Sequence, residues 1–317
     1  MNAALALGTY TLLVGFVAPR LLLRSDWPHR APALALAVWH ALALSFALGT
    51  ALTAYHLFMP MAHAHEGLWG LLHSCGFDLG AGGFDLGMGG FDPGSGGPAH
   101  AAAGRLSVVL PAVPGIALAG GFAFHVARAR LARTRHREAV DLVGRRSVRL
   151  GATVLPYDVP AAYCLPGRRP RIVVSEAAVR ELAPEELAAV LAHERAHIAG
   201  RHHLALAGAA AFHSVFPLLP LARQVREQTA LLLEMIADDR ALRAHSDGAL
   251  ATAMYAMAAA RAPRDAFAAG GRTVLIRMRR VLGPRTAPHP ALRGALAAAT
   301  AAVPLLPLLV ACPLGVG

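Results

Sequence analysis

The chain is short of charged residues and of cysteine, and each shortage argues against a class of protein. Asp, Glu, Lys and Arg together make up 15% of the 317 residues, whereas hydrophobic residues make up 56%. Soluble domains carry charge on about a quarter of their residues. The three cysteines are far apart and odd in number, which excludes a disulfide framework. Because the hydrophobic residues are also clustered, the composition predicts an integral membrane protein.

Basic residues are missing from two places where their absence is informative. None precedes the first apolar run, so a cleaved signal peptide is not expected. No Lys or Arg occurs in residues 60–104, whereas segments 20–30 and 128–137 are rich in arginine. By the positive-inside rule the arginine-rich segments are cytoplasmic and the 60–104 loop is extracytoplasmic. Contact with anionic lipid or with an acidic substrate is a second interpretation of the net charge of +11.

Four apolar segments are long enough to cross a bilayer as helices. They cover residues 3–23, 32–58, 106–127 and 291–312 in approximate bounds. The sequence therefore predicts an α-helical, multi-pass protein of the plasma membrane with about four transmembrane helices, three of them within residues 1–128. Both termini are expected outside.

The extracytoplasmic loop 60–104 has two unusual features. A GFDxG unit recurs every seven residues between Gly76 and Gly94, and its glycines favour a flexible low-complexity insert over a helix. Thioether, imidazole and thiol side chains, which suit copper, precede this insert. They are Met59, Met61, His63, His65, His73 and Cys75. The loop is interpreted either as an exposed linker or as a metal sensor.

A histidine pair marks the candidate site. Residues 189–206 read AVLAHERAHIAGRHHLAL, which contains an H-E-x-x-H pattern from His193 to His197. Apolar residues at helical spacing and Pro184 at a first-turn position predict a helix here. Residues four apart share one helix face, so both histidines can reach one metal ion. Glu194 projects nearby and could handle a metal-bound water.

A second helical pattern supplies an acidic pair. Residues 231–242 read LLLEMIADDRAL, and Glu234 and Asp238 are four apart on one face. Zinc in hydrolases takes three protein ligands, and Glu234 can be the third. Asp238 can accept a hydrogen bond from the far nitrogen of a ligand histidine. The alternative is a solvated helix face, but the apolar residues around Glu234 favour burial, and a buried carboxylate needs a partner.

These residues resemble a known group of enzymes. H-E-x-x-H followed by E-x-x-A-D is the pattern of the gluzincin membrane metallopeptidases. The phrase IVVSEAAVRELAPEELAAVLAHERAH is similar to the M56 peptidases, the group of the BlaR/MecR signal transducers. It is more distantly similar to the M48 group, which includes the HtpX-type quality-control proteases. The BlaR-type penicillin-binding sensor is missing after the last span, so β-lactam sensing by that route is not expected.

The resemblance implies an α+β gluzincin-like zinc-peptidase domain in the cytoplasm, predicted to cover residues 129–290. Residues 291–317 then form the fourth span and a short tail. One Zn²⁺ per chain is implied, with the ligands and the hydrogen-bonding Asp238 assigned as above and with Glu194 as the general base. In the resembled families the strand before the metal helix pairs with the substrate backbone. That role would fall here to Arg171, Ile172, Val173, Val174 and Ser175.

The rest of this domain is predicted in outline. Residues 147–155 and 171–175 have strand character. Residues 204–222 are apolar, but a single crossing would separate Glu234 from the histidines, so they are interpreted as a core helix with a turn at 216–220 or as a segment that dips into the membrane. Residues 249–282 are predicted to be helical and amphipathic, with four arginines on or near the surface. These are Arg272, Arg277, Arg279 and Arg280.

Three functions are compatible with these patterns. The first is a zinc endopeptidase at the cytoplasmic membrane face, acting on a protein or peptide and, by the resemblance, on a repressor of the BlaI type; constitutive quality control is its rival. The second is a receptor without catalysis, against which the intact Glu194 argues, and the third is the metal sensor. No direct nucleic-acid binding is expected. The oxyanion donor is left open among His202, His203, His213, His245 and Tyr255.

Overall fold

The computed structural model describes residues 2–58, 98–260, 269–284 and 289–311. These residues are mostly helical, with one small mixed sheet. The predictions for the GFDxG repeats and for the His- and Met-rich segment lie outside the described residues, as does the side chain of Arg272.

Four helical stretches are long and apolar enough to cross a membrane. They are Ala3–Leu23, Pro32–Phe58, Val109–Val143 and Pro290–Ala311. The first comprises α1 (Asn2–Leu12), a π-helical turn (Leu13–Val17) and α2 (Ala18–Leu23), and the fourth comprises α12 (Pro290–Ala302), a 3₁₀ turn (Val303–Leu305) and α13 (Leu306–Ala311). Between the first two stretches lies the short α3 (Trp27–Arg30), followed by α4 (Pro32–Phe58). Each of the four overlaps one of the predicted spans, and their apolar lengths support a membrane protein.

The third long helix, α5 (Pro98–Val143), continues beyond both ends of the predicted span. Residues 98–104, predicted as loop, are helical. At the other end the helix passes without a break through the arginine-rich segment, because Arg and Ala are strong helix formers. Its last turns enter the sheet domain, where Val140 is buried against Leu165 and Val173. The predicted boundary at residues 128–129 is therefore not a break in the secondary structure.

The sheet contains β1 (Arg145–Ser147), β2 (Ala152–Leu155), β3 (Ala162–Leu165) and β4 (Arg171–Ser175) in the order β1-β2-β4-β3. β2 and β4 are parallel, and the outer pairings are antiparallel. The single strand predicted over 147–155 is two strands joined by a tight turn, in which Gly151 adopts a φ of 61°.

The remaining helices surround this sheet and connect it to the apolar helices. They are α6 (Glu176–Glu181), α7 (Pro184–Ala199), α8 (His202–Val215), α9 (Pro220–Ala241), α10 (Asp247–Ala259) and α11 (Ala269–Leu282). Residues 204–222 do not cross as a span. They form parts of an α8–α9 hairpin whose turn covers 216–219, close to the predicted turn at 216–220.

This hairpin packs along the first two apolar helices. The ring of Phe216 at its turn lies 5.2 Å from the ring of Phe46, near the middle of α4. Leu219 occupies the space that a side chain at Gly15 would fill, since a Cβ there would be 2.9 Å from its Cδ1. Trp39 and Met235 belong to the same buried cluster. The hairpin turn therefore lies beside the middle of α4, and the far end of α9 lies towards the start of α4.

Candidate metal centre

Helix α7 is anchored at its start and along one face. Pro184 occupies the first turn, where its missing N–H costs nothing, and the Glu186 carboxylate accepts a hydrogen bond of 2.9 Å from Ala183 N. Leu187 and Leu191 pack against the sheet within one buried cluster. Because the apolar face is fixed in this way, His193 and His197 face α9 instead of the sheet.

Three side chains converge between α7 and α9. Nε2 of His193 and Nε2 of His197 are 3.1 Å apart, and Glu234 Oε2 and Oε1 lie 3.5 and 3.4 Å from them, respectively. Tetrahedral ligand atoms held 2.0–2.1 Å from zinc lie roughly 3.3–3.4 Å from one another. Two imidazoles and one carboxylate also form a donor set typical of catalytic zinc. The residues present therefore fit Zn²⁺.

The distal nitrogen of each histidine faces a buried neighbour. Nδ1 of His193 lies 3.0 Å from Oδ1 of Asp238, whose side chain is fully buried. This close pair does not meet the angular criterion of a hydrogen bond. Nδ1 of His197 lies 2.8 Å from Nδ1 of His202, which is also buried. Such outer partners fix ring orientation and raise ligand basicity.

Gly200 allows this arrangement at the corner between α7 and α8. A Cβ there would come within 2.4 Å of the His202 ring. The next residue, Arg201, adopts the left-handed conformation with a φ of 48°. The corner is thus shaped to place the imidazole of His202 directly behind His197. His202, one of the five candidates for the oxyanion donor, therefore contacts a candidate zinc ligand.

Arg277 of α11 completes the site and was not predicted to do so. Its Nε and Nη2 donate to the two Asp238 oxygens at 2.8 and 2.7 Å, and its Nη1 lies 2.7 Å from Glu234 Oε2. The prediction that Arg277 lies on or near the surface is wrong, because its side chain is only 12% exposed. The carboxylates at Glu234 and Asp238 provide the ion pairs that a buried guanidinium requires.

The charges of this cluster are strongly coupled. Burial opposes ionisation, yet hydrogen bonds and neighbouring positive charge hold the pKa values of Glu234 and Asp238 at about 2. Burial also opposes a charged His193, but the carboxylates at Asp238 and Glu234 raise its pKa to about 9. Burial lowers the pKa of His197 to about 4. Without metal, the site therefore holds one charged and one neutral imidazole near neutral pH.

Glu194 lies on the sheet side of this centre, next to β3. The Cys164 thiol hydrogen-bonds to the Glu194 carboxylate, and burial followed by that carboxylate raises the thiol pKa to about 12. Cys164 is therefore a neutral thiol beside the candidate base. Its neighbour Tyr163 points to the other face of the sheet and pairs with His136 of α5 at 2.7 Å.

The prediction that residues 171–175 bind the substrate backbone is wrong in this arrangement. β4 is hydrogen-bonded to β2 on one side and to β3 on the other, so it has no open edge. Ile172, Val173 and Val174 are buried in the core, Arg171 pairs with Asp141, and Ser175 caps α6 by accepting from Ala178 N. In the described part of the chain, the strand at the sheet edge beside α7 is β3, a short apolar run between Pro160 and Pro166 that the sequence reading missed.

Comparison with known proteins supports a peptidase. Residues 129–260 match the model of Peptidase family M48. Members of that family are typically zinc-dependent, in keeping with the His-His-Glu cluster, and the long apolar helices support a membrane-associated enzyme. The match favours the more distant of the two resemblances, and the BlaR-type M56 resemblance is not confirmed. No curated protein and no solved structure gives a significant match.

Proposed function

We propose that this protein is a membrane-embedded, zinc-dependent endopeptidase that hydrolyses peptide bonds at the cytoplasmic face of the membrane. The observation that carries the proposal is the convergence of His193, His197 and Glu234: the Nε2 atoms of the two histidines are 3.1 Å apart and lie 3.5 and 3.4 Å from the two Glu234 oxygens, which suits one tetrahedral zinc. Glu194, next to the first ligand in sequence and beside the edge strand, provides a base. A metal-binding receptor without catalysis would not need this carboxylate.

The residues divide the chemistry between them. Bound zinc would polarise the scissile carbonyl and lower the pKa of the attacking water. Glu194 takes the proton of that water and passes it to the leaving nitrogen. Asp238 and His202 hold the two imidazoles in position, and Arg277 holds Glu234 and Asp238. Neutral Cys164 hydrogen-bonds to Glu194 and leaves the carboxylate as the local base.

The substrate is expected to bind along β3. This strand is paired only with β4 in the described structure, and the side chain of Cys164 reaches Glu194. An extended peptide that adds to this edge would pass the base and the metal ligands, because main-chain pairing holds a peptide in register. Specific backbone pairing at Tyr163 and Cys164 thus replaces the role first assigned to 171–175.

The charge pattern and one contact support the proposed cytoplasmic location. Arg280 of α11 donates to the carbonyl oxygen of His29, in the turn between the first two apolar helices, and pairs with Asp239. The metal end of α9 therefore lies at the level of this turn. Arg24 and Arg30 flank the turn, which the positive-inside rule assigns to the cytoplasm.

A zinc-loading and cleavage experiment tests the enzyme proposal. Purified full-length protein should bind one zinc and cleave a set of quenched fluorogenic peptides. Glu194→Gln should keep zinc and lose about 10²–10⁴-fold in kcat/KM, because the shape stays and the base is removed. Glu234→Gln should lose zinc affinity and activity together. The matched control is Glu181→Gln, an exposed glutamate at the end of α6.

Two outcomes contradict this proposal. An active Glu194→Gln enzyme would exclude the role of the base. Full zinc occupancy with unchanged affinity in Glu234→Gln would exclude the third ligand.

For the biological role we propose regulatory proteolysis, such as cleavage of a BlaI-type repressor in response to a signal at the membrane. HtpX-like quality control of membrane proteins is the alternative, and the M48 match gives it support. Deletion of residues 76–97, the predicted insert, separates the two. Loss of induced cleavage with basal activity retained would favour the regulatory role, whereas broad degradation of unrelated unfolded membrane proteins would favour quality control.

A further inference from the structure

A charged groove lies between the two helices of the α8–α9 hairpin. It encloses a cavity of about 520 Å³. Its lining residues are Leu206, Ala210, His213, Arg223, Arg226, Glu227 and Ala230. Most of these side chains are exposed, so the cavity is an open groove. The ligands of the metal centre do not line it.

The groove nevertheless points at the metal centre. In an antiparallel hairpin each turn of α8 faces one turn of α9, so His213 faces Arg223 and Leu206 faces Ala230 along the groove. The next turn in this order carries His202 on α8 and Glu234 on α9. Both side chains lie against the ring of His197, His202 at 2.8 Å and Glu234 at 3.4 Å, which shows that the order continues. The groove therefore begins one helical turn from a candidate zinc ligand.

The groove is basic. Two guanidinium groups, of Arg223 and Arg226, and the imidazole of His213 face the single carboxylate of Glu227. That carboxylate accepts a 3.0 Å hydrogen bond from Arg223 Nε and leaves an excess of positive charge. Arginine forks match carboxylates bidentately, so the groove suits an acidic ligand.

The depth of the hairpin narrows the class of ligand. Its turn packs against Phe46 near the middle of α4, and Arg223 is one helical turn from that end. Charged side chains at membrane depth face a protein interior or a hydrated cleft, because hydrocarbon excludes them. The opposite face of the hairpin is packed on the apolar helices. The groove is thus expected to be the hydrated side of a hairpin whose turn lies beside the middle of α4.

We propose that this groove binds an acidic, extended juxtamembrane segment of a membrane-anchored protein substrate and leads it to the metal centre. The inference rests on the peptidase function proposed above and names its substrate class. From the His213–Arg223 turn to the His202–Glu234 turn the path is about 16 Å, or about five residues of extended chain. Acidic side chains therefore lie about three to five residues from the scissile bond, on its membrane-proximal side. An anionic lipid headgroup fits the charge but gives no reason for the alignment with Glu234.

A binding experiment tests the groove without requiring turnover. Full-length Glu194→Gln protein, loaded with zinc, is placed in neutral phosphatidylcholine nanodiscs. Three reporter peptides, each with one membrane span, carry Glu, Gln or Lys at three successive positions next to the span. These positions correspond to the roughly three to five residues between the groove arginines and the scissile bond. The Glu reporter should bind about tenfold more tightly than the Gln reporter, and the Lys reporter most weakly.

Charge reversal in the groove should invert this order. With Arg223→Glu and Arg226→Glu together, the Lys reporter should bind best. The milder double variant Arg223→Gln and Arg226→Gln should abolish the preference for the Glu reporter. It keeps the test valid if the charge-reversed variant does not fold. Arg243→Glu, an exposed arginine just beyond α9, is the matched control and should keep the wild-type order.

The outcomes separate the two proposals. A Glu preference that persists in both groove variants overturns the groove. The groove variants are also tested for binding to phosphatidylglycerol vesicles. If they keep the reporter order but no longer bind these vesicles, the arginines bind lipid and the groove proposal is overturned. If the Glu reporter binds as expected but zinc-loaded wild-type protein cleaves neither it nor the short peptides, the peptidase proposal fails and the groove stands. If the protein cleaves the peptides but shows no preference for the Glu reporter, the groove proposal fails and the peptidase proposal stands.

Discussion

Two adjacent aspartates of α9 each hold an arginine of α11, and the two aspartates differ in burial. Asp238 is fully buried and receives a bidentate pair from Arg277, which also reaches Glu234. Asp239 is 39% exposed and pairs once with Arg280, at 2.7 Å. The Asp238–Arg277 pair borders the metal centre, whereas Arg280 of the other pair contacts the turn between the first two apolar helices.

Both pairs join an aspartate to an arginine, so burial is the difference that should decide how much each contributes to the free energy of unfolding. In the less buried pair, water reaches the 39% exposed Asp239, although the Arg280 side chain is only 18% exposed, so this pair is expected to contribute less than the other. In the buried pair, loss of one partner leaves an uncompensated charge in the protein interior. The two pairs differ by one residue on α9 and by one turn on α11, which makes them matched sites for testing this difference.

The largest contrast is expected in stability. Asp238→Ala leaves Arg277 buried without its bidentate partner and should cost about 3–5 kcal/mol in the free energy of unfolding. Asp239→Ala should cost about 1 kcal/mol or less. Reversible unfolding of the zinc-free protein in mixed micelles measures both values. Equal losses would show that the two settings do not differ in energy.

The second contrast concerns zinc. Arg277→Gln removes the group that fixes Glu234 and Asp238, so zinc affinity should fall about 10–100-fold, the range for outer partners of metal ligands. Arg280→Gln should leave zinc affinity unchanged. Competition with a chelating dye gives both dissociation constants. Arg277→Lys serves as a further test, because a single ammonium cannot reproduce the fork, and full retention by Lys would refute the positioning role.

The third contrast is in proton release. His193 has a pKa of about 9 in the metal-free site, so it is protonated at pH 7 and must lose about one proton when zinc binds. The release should decline as the pH rises through 9. Titration calorimetry in buffers of different ionisation enthalpy counts the protons. Asp238→Asn should reduce the number, whereas Asp239→Asn should not, and the same release in all three proteins would contradict the assignment.

The smallest effect is expected at the less buried pair, Asp239 and Arg280. Asp239→Asn weakens the hold on Arg280 and, through it, on the His29 carbonyl. Amide exchange in residues 24–31 should accelerate about two- to fivefold, corresponding to a few tenths of a kcal/mol to 1 kcal/mol. Exchange in α7 should not change. Mass-spectrometric hydrogen exchange resolves both segments, and faster exchange in α7 would show that the two pairs are not independent.

The sequence predicted the parts of this molecule that depend on local spacing. His193 and His197 are one turn apart, and so are Glu234 and Asp238, so helical geometry alone puts each pair on one face. The turn near Phe216 could also be placed, because a full crossing between the two motifs would not leave room for a return. The structure brings the three predicted ligands together without any further assumption about packing.

The parts that escaped prediction depend on long-range packing. Arg277 lies 39 residues beyond Asp238 on an amphipathic helix with several arginines, and no local pattern distinguishes the one that turns inward. The edge strand was misassigned for a similar reason. Residues 171–175 read as the stronger strand because they are β-branched and buried, which is what places them between two neighbours, while the weaker run at 162–165 takes the edge.

Helix α11 contacts both the metal centre and the turn between the first two apolar helices. Its two arginines bind Glu234 and Asp238 on one side and the His29 turn on the other. Binding free energies are reciprocal, so a rearrangement of the first two apolar helices that displaces α11 and weakens zinc tenfold must itself be opposed tenfold by bound zinc. Under such a rearrangement, metal content and membrane-helix packing would report on each other in the same units.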